Sequence, residues 1–240
     1  MQEKVNKNFS IGIATVCYNG YGRFIEPFLE AIDKMTVRPD KITIVLGDNP
    51  GKMMTFIPNY VHLVHASGTD LGQLKNIAVE HTHTEWIIPM SIDDILLPTA
   101  IEEFEKLADK SDVIIPAFEQ RYKNEVGIFA PKRVHEYVCS TKFMLAPHSN
   151  FFHGSSPYRR SIWEKHHYHE GDCQNALFWI DCMLDNPRIA YTDTPCLVYI
   201  RRADGHSCVE PHIRKQRANI IRYYRRDERL AWTHEFNKRK

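Results

Sequence analysis

Short apolar runs alternate with segments of helical apolar spacing along the first half of the chain, and few folds accept that order. Ile11-Gly12-Ile13-Ala14-Thr15-Val16 reads as a strand that breaks at Tyr18-Asn19-Gly20; between Arg23 and Met35 the apolar residues Phe24, Ile25, Phe28, Leu29 and Ile32 then recur at helical spacing. Lys41 to Leu46 reads as a second strand, stopped by the turn cluster Gly47-Asp48-Asn49-Pro50-Gly51. Val61 to His65 is a third strand, Leu71 to His81 a second helix, and Trp86 to Met90 a fourth strand. Thr99, as an N-cap, opens a third helix running to Ala108, and Val113 to Phe118 closes the series. Strands alternating with helices in this way imply right-handed βαβ units and an open, mostly parallel, twisted α/β sheet flanked by helices.

In such a sheet the loops after successive strands converge on one edge, where ligands bind. Tyr18-Asn19, Asp48-Asn49 and Asp93-Asp94 all fall in such loops, so three polar clusters distant in sequence are expected in one cleft. The run Trp86-Ile87-Ile88-Pro89-Met90-Ser91-Ile92-Asp93-Asp94 is the most specific of these, since it ends an apolar strand in two adjacent carboxylates. Hard oxygen ligands at that edge suit Mg²⁺ or Mn²⁺ carrying a diphosphate, although an Asp pair can equally serve a turn or a helix cap. Neither GxGxxG nor GxxxxGK[ST] follows the first strand, which argues against a dinucleotide fold and a P-loop and leaves a metal to hold the diphosphate.

At 240 residues, with 43% hydrophobic residues, the chain is long enough to bury a substantial core. A formal net charge of +1 offers no global field for nucleic acid or membrane. Neither a signal-peptide core nor a stretch near the roughly 20 apolar residues of a membrane span appears, so a soluble, cytoplasmic protein is expected. Six cysteines without a CxxC pair read as reduced thiols. His166-His167-Tyr168-His169 with Cys173 can be drawn as a zinc site, but the spacing matches no closed four-ligand set, and solvated histidines are the simpler reading.

After Phe118 the alternation fades, and residues 119 to 150 read as an irregular or antiparallel insertion. His153-Gly154-Ser155-Ser156-Pro157-Tyr158-Arg159-Arg160 then leads into a helix, Asp172 to Leu184 forms another, and Ile189 to Ile200 is extended, ending in Arg201-Arg202.

Over roughly residues 9 to 207 the chain resembles an inverting glycosyltransferase of family 2, with the GT-A fold. Four segments in the family's order carry the resemblance: Thr15-Val16-Cys17-Tyr18-Asn19; Gly72-Gln73-Leu74-Lys75-Asn76, like Gly-x-x-x-Arg-Asn shortened by one position; Ser91-Ile92-Asp93-Asp94 with Pro98, like Asp-x-Asp-Asp; and Tyr199 to Ser207, a longer segment with the Tyr, Arg, His and Ser of Tyr-Arg-x-x-His-Ser in order. Departures are equally plain. Gly47 stands where the family usually has an acid, leaving Asp48 for the base or ribose, Ser91 replaces the first Asp of the metal motif, and Lys75 replaces Arg, keeping a cation without its bidentate geometry.

The resemblance implies sugar transfer from a nucleotide-sugar donor, by default a UDP-sugar, to an acceptor hydroxyl with inversion. It implies donor contacts from Thr15, Tyr18, Asn19, Asp48, Lys75, Asn76, Asp93, Arg201 and Arg202, and a Mn²⁺ or Mg²⁺ ion held first by Asp94, with Asp93 and His206 contributing. Gly154, Ser155 and Ser156 are expected to line the acceptor side, and Asp172, with Glu170 as alternative, to act as general base, against the plain reading of Asp172 as a helix cap. Residues 1–118 would form the donor half, 119–207 the acceptor and base half of the same domain, and 208–240 a tail. The acceptor stays open among saccharide, lipid-linked sugar, protein, small molecule and modified nucleic-acid base. A nucleotidyltransferase would show a Gly-rich loop with Lys or Arg directly after the first strand, whereas Thr15 to Arg23 holds only Gly20, Gly22 and one Arg. A degenerate, non-catalytic nucleotide-sugar-binding module fits Ser91 and Gly47, and the surviving carboxylates argue against it.

Residues 211 to 240 carry ten Lys or Arg against three acids, with Ile213, Ile220, Ile221, Tyr224 and Leu230 at roughly helical spacing. This basic amphipathic tail either packs on its own domain or meets an anionic surface, membrane or nucleic acid.

Overall fold

The computed structural model describes residues 9–122, 125–129, 154–171 and 174–202. Strands β1 (Ile11–Cys17), β2 (Lys41–Leu46), β3 (Val61–His65) and β4 (Trp86–Ser91) pair in parallel in the order β3-β2-β1-β4. All seven residues of β1 are buried, as a central parallel strand covered on both faces requires. Helices α1 (Ile25–Asp33), α2 (Leu71–Glu80) and α3 (Ala100–Ala108) supply the crossovers. α1 buries Ile25, Phe28, Leu29 and Ile32, the i, i+3, i+4, i+7 stripe read from the sequence. α2 is capped by Asp70, whose carboxylate accepts the Gln73 N–H at 3.0 Å. Thr99 occupies the N-cap position of α3 without a side-chain hydrogen bond, so its expected capping role is not realised.

Beyond β4 the sheet changes character. A two-residue strand β8 (Tyr158–Arg159) lies antiparallel between β4 and β6 (Val113–Tyr122); β6 runs parallel to β9 (Ile189–Arg201), and β9 pairs antiparallel with the short β5 (Ile95–Leu96). β6 continues past residue 118 and turns back into β7 (Glu125–Phe129), the antiparallel element expected after Phe118. Parallel pairing thus dominates, in the first four strands and the long β6/β9 pair, as expected, and the short antiparallel pairings make the sheet mixed and curled.

Two cores flank the sheet. α1 and α3 cover one face over Ile13, Ile44 and Ile88; α2, with α4 (Arg160–Lys165) and α5 (Gln174–Leu184), covers the other over Val16, Val45 and Ile87. The aromatic cluster Tyr158, Tyr168, Phe178 and Trp179 fills the second core, with the Tyr158 and Tyr168 hydroxyls 3.2 Å apart. No helix among the described residues is long and apolar enough to cross a membrane. Cys17, Cys182 and Cys196 are buried free thiols, and burial pushes Cys17 up to about 11, which makes it unreactive.

Candidate functional site

The loops after β1 and β2 are zipped together by their backbones. Asn19 N–H donates to the Asp48 carbonyl at 3.0 Å, Gly20 N–H to the Asn49 carbonyl at 2.7 Å and Gly22 N–H to the Pro50 carbonyl at 2.7 Å. The close approach needs residues that accept a left-handed backbone: Asn19 and Asn49 have φ of 46° and 49°, and a Cβ on Gly51 would lie 2.9 Å from the Gly20 Cα. Asn19 and Asp48 are exposed, and the Asp48 carboxylate accepts the Gly68 N–H at 3.1 Å. Gly47 also has a physical reason, because a Cβ there would sit 2.7 Å from Cδ1 of the core residue Leu74 and 3.2 Å from the Tyr18 Cβ. The acid usual at that position would collide with α2.

The loop after β4 meets the same edge. Burial, then Tyr21 and the Asp93 charge, push the Tyr18 phenol up to about 12, so Asp93 acts on Tyr18 across the cleft. Tyr18 stacks on Tyr21 with ring centroids 5.8 Å apart. The antiparallel register of β5 on β9 (Ile95 opposite Val198) brings the end of β9 back over the carboxylates. Arg202 donates to Asp93 Oδ2 at 2.6 Å and lies 4.2 Å over the Phe24 ring, while the Ile200 N–H reaches Asp94.

Asp94 is 2% exposed, and Ser155 Oγ donates to its Oδ2 at 3.5 Å. Burial, reinforced by the Asp93 charge, pushes the Asp94 carboxyl well above the ordinary carboxylate range, against the pull of the Ile200 N–H, Arg202 and Ser155. Asp93 is half-buried and Asp94 buried, so Asp93 is the more accessible carboxylate of the pair. Ser155 reaches Asp94 because residues leading into β8 run antiparallel along β4 towards its C-terminal end. Ser155 and Ser156 are both fully buried, and the Ser156 hydroxyl has no partner among the described residues.

Several residues expected at the donor are buried or engaged by the protein itself. Thr15 is 1% exposed and alternates with Ile13 and Cys17 towards the α1 face, inside the core. Lys75, on α2, donates to Asn175 Oδ1, sits 5.3 Å over the Tyr168 ring and lines a cavity of about 10 Å³ together with Thr15, Val79 and Met90. Burial pulls its ammonium down to about 7. Asn76 accepts the Trp163 indole N–H and the Tyr168 N–H at 2.9 Å each and donates to the Tyr168 carbonyl, so it fastens the 163–168 segment to α2. Residues 75 and 76 follow Leu74 on the turn of α2 that packs against α5.

Exposed Glu170 accepts from Gln73 Nε2, and the Gly171 N–H donates to Asp70 Oδ2 at 3.0 Å, so the turn preceding Asp172 is held at the start of α2, on the cleft edge. Gly72 is required there, since a Cβ would lie 1.8 Å from the His169 carbonyl oxygen. Asp172, His206, the Arg201 side chain and the tail at 208–240 lie outside the described residues. Asp70, Phe24 and Asn175 were missed in the sequence; the Asp-x-x-Gln spacing of Asp70 and Gln73 is a capping signal that could have revealed the first.

His166 pairs with Asp185 and His169 with Asp181 at 2.7 Å, so carboxylates engage two rings of the histidine cluster, and Cys173 lies outside the described residues. No group of three or more metal-ligating side chains exists among the described residues. The residues fit a divalent ion in a narrower sense, one that brings phosphate ligands of its own and needs one or two protein carboxylates. Asp93 can meet that need, as the more accessible carboxylate of the pair.

The sequence matches no family model and no curated protein. Solved structures do match. S. aureus TarS 1–349 in complex with UDP-GlcNAc superposes with a TM-score of 0.64 at 15% identity, over 89% of this chain and 66% of that one. The fold is GT-A-like. The same TarS fragment with UDP gives a TM-score of 0.60 at 15% identity over 94% and 70% of the two chains, and a mannosyltransferase from Pyrobaculum calidifontis with GDP-Man and Mn²⁺ gives 0.60 at 14% over 90% and 64%. The chain therefore spans about two thirds of the length of these structures, and 37% of a longer TarS structure.

Proposed function

We propose that this chain transfers a sugar from a nucleotide-sugar donor to an acceptor hydroxyl with inversion, in the manner of family 2 glycosyltransferases, with a UDP-sugar as default donor. The observation that carries the reading is the meeting of Tyr18, Asn19, Asp48, Asp93 and Arg202 at the strand-end edge of a GT-A-like sheet. The neighbours with UDP-GlcNAc, UDP and GDP-Man support it.

In this reading Tyr18 and Asn19 flank the base, Asp48 takes the ribose or base, and Arg202 faces the diphosphate, where a guanidinium matches phosphate geometry. Asp93 would hold Mn²⁺ or Mg²⁺, which supplies positive charge as the leaving diphosphate gains negative charge. The loop of Gly154, Ser155 and Ser156 would back the acceptor side with its two serines buried, and Ser155 ties it to Asp94. Asp172, or Glu170 beside it, takes the proton of the acceptor hydroxyl as the glycosidic bond forms on the opposite face of the sugar. The basic tail contacts an anionic surface or its own domain.

Thermal denaturation with UDP and GDP, each with and without Mn²⁺, tests the donor site. A nucleotide present at about 100 times its Kd stabilises the native state by about 2.7 kcal/mol, so a rise in Tm that needs Mn²⁺ is expected. Release of free nucleotide from a UDP-sugar then separates transfer from mere binding, and release of pyrophosphate from a nucleoside triphosphate would mark a nucleotidyltransferase instead. Asp172→Asn is expected to lower turnover at least about a hundredfold with nucleotide affinity little changed. Near-normal turnover in that variant, with Glu170→Gln inactive, moves the base to Glu170.

A further inference from the structure

Arg202 is held at two points. Its guanidinium donates to Asp93 Oδ2 at 2.6 Å and to the Asp93 carbonyl at 3.4 Å, and it stacks 4.2 Å over the Phe24 ring. The ion pair is largely withdrawn from solvent, with side-chain exposures of 22% for Arg202 and 19% for Asp93. Charge at such a pair is poorly screened. The carboxylate that borders the cleft is thus already neutralised by a cation of the chain.

A divalent ion approaching Asp93 competes with Arg202 for the same negative charge, and the guanidinium repels it as long as it stays. The repulsion is relieved when Arg202 has another anion to face, and a diphosphate beside the metal supplies one with matching bidentate geometry. Phe24 makes the exchange local. A cation on an aromatic face keeps its attraction through a small lateral shift, so the guanidinium can leave the carboxylate without leaving the ring. Asp94 adds to the design from below: Ser155 and the Ile200 N–H hold its buried carboxylate in place, so Asp93 is the one whose partner can change.

We propose that Arg202 is an exchangeable counter-ion of Asp93, which makes the divalent ion enter this site together with a nucleoside diphosphate and not ahead of it. The proposal rests on the nucleotide-sugar reading above. It makes binding of metal and nucleotide strongly cooperative through one arginine, and thermodynamic linkage requires the coupling to be equal in both directions.

The test is Mn²⁺ binding to the full chain, read from the electron paramagnetic resonance signal of the free ion and corrected for Mn²⁺ held by nucleotide in solution. Wild type, Arg202→Gln, Arg202→Lys and Asp93→Asn are compared without nucleotide and with UDP or GDP, with circular dichroism to verify folding. Without nucleotide, Arg202→Gln is expected to bind Mn²⁺ about tenfold more tightly than wild type. Its enhancement by nucleotide shrinks by about the same factor, Arg202→Lys lies between the two, and Asp93→Asn loses Mn²⁺ under all conditions. Equal nucleotide-free affinities in wild type and Arg202→Gln, or an unchanged enhancement, overturn the exchange. So does nucleotide binding indifferent to Mn²⁺, and in each of these cases the nucleotide-sugar reading stands as long as UDP or GDP still raises Tm. If neither nucleotide binds with or without Mn²⁺, the underlying reading falls with the proposal.

Discussion

Asp94→Asn is expected to make the chain more stable at pH 8 in EDTA while lowering its turnover. Asp94 is 2% exposed and its carboxyl is held well above the ordinary range, first by burial and then by the Asp93 charge. A group whose folded pKa is raised binds more protons in the folded than in the unfolded state, so its favourable contribution is complete below the unfolded value, near 3.8, and is lost as pH rises through the folded value. At pH 8, far above the unfolded value, the chain therefore bears the cost of burying this ionisable group beside a second carboxylate. Asparagine has the same shape, keeps an oxygen for the Ser155 hydroxyl and the Ile200 N–H, and carries no charge. The gain is on the order of 1–3 kcal/mol, or about 2–4 °C in Tm for each kcal/mol in a chain of this size. It should shrink below about pH 4, where both states of the carboxyl are protonated. Turnover falls because the variant removes the ionisable carboxyl beneath Asp93, the usual exchange of stability against a destabilised site. A variant less stable than wild type at pH 8 refutes the account of Asp94.

The first four strands and three helices were legible in the sequence because each is long enough to show its own period. β1 is seven buried residues, and α1 displays its stripe at Ile25, Phe28, Leu29 and Ile32. β8 and β5, with two residues each, carry no period at all, yet they decide the antiparallel half of the sheet and bring Ser155 to Asp94 and Arg202 to Asp93. Those contacts span 61 and 109 residues, and nothing local in Ser155 or Arg202 announces them. The carboxylate pair was legible as a site, but not which member borders the cleft, since that depends on β9 folding back over Asp94. Composition at 15, 75 and 76 was equally silent about direction: Thr15 falls on the buried side of β1, and Asn76 spends its amide on Trp163 and Tyr168. Gly47 reads as a lost acid in the sequence, and the structure supplies the steric reason in Leu74.

Lys75→Met is expected to raise stability at pH 6 by on the order of 1–4 kcal/mol, with the difference fading as pH approaches 10.5. The ammonium of Lys75 lies against Tyr168 and Asn175 between α2 and α5, and burial lowers its pKa from 10.5 to about 7. Because the folded pKa is the lower one, the unfolded chain binds more protons between those two values, and stability rises with pH across that window. Below about pH 7 the folded chain carries the full cost of a buried ammonium. Each tenfold loss of proton affinity on folding costs about 1.36 kcal/mol, so the drop from 10.5 to about 7 sets an upper bound near 5 kcal/mol, and the half-buried position of the residue reduces it. Methionine retains the unbranched apolar stem over the Tyr168 ring, and half-buried Asn175 can turn its freed oxygen to water. Denaturant titration of both proteins at pH 6, 8 and 10 reads the effect directly. Parallel curves for wild type and variant across that range show that Lys75 does not change its protonation on folding, whereas a gap that narrows with rising pH places a charged lysine in the seam between α2 and α5.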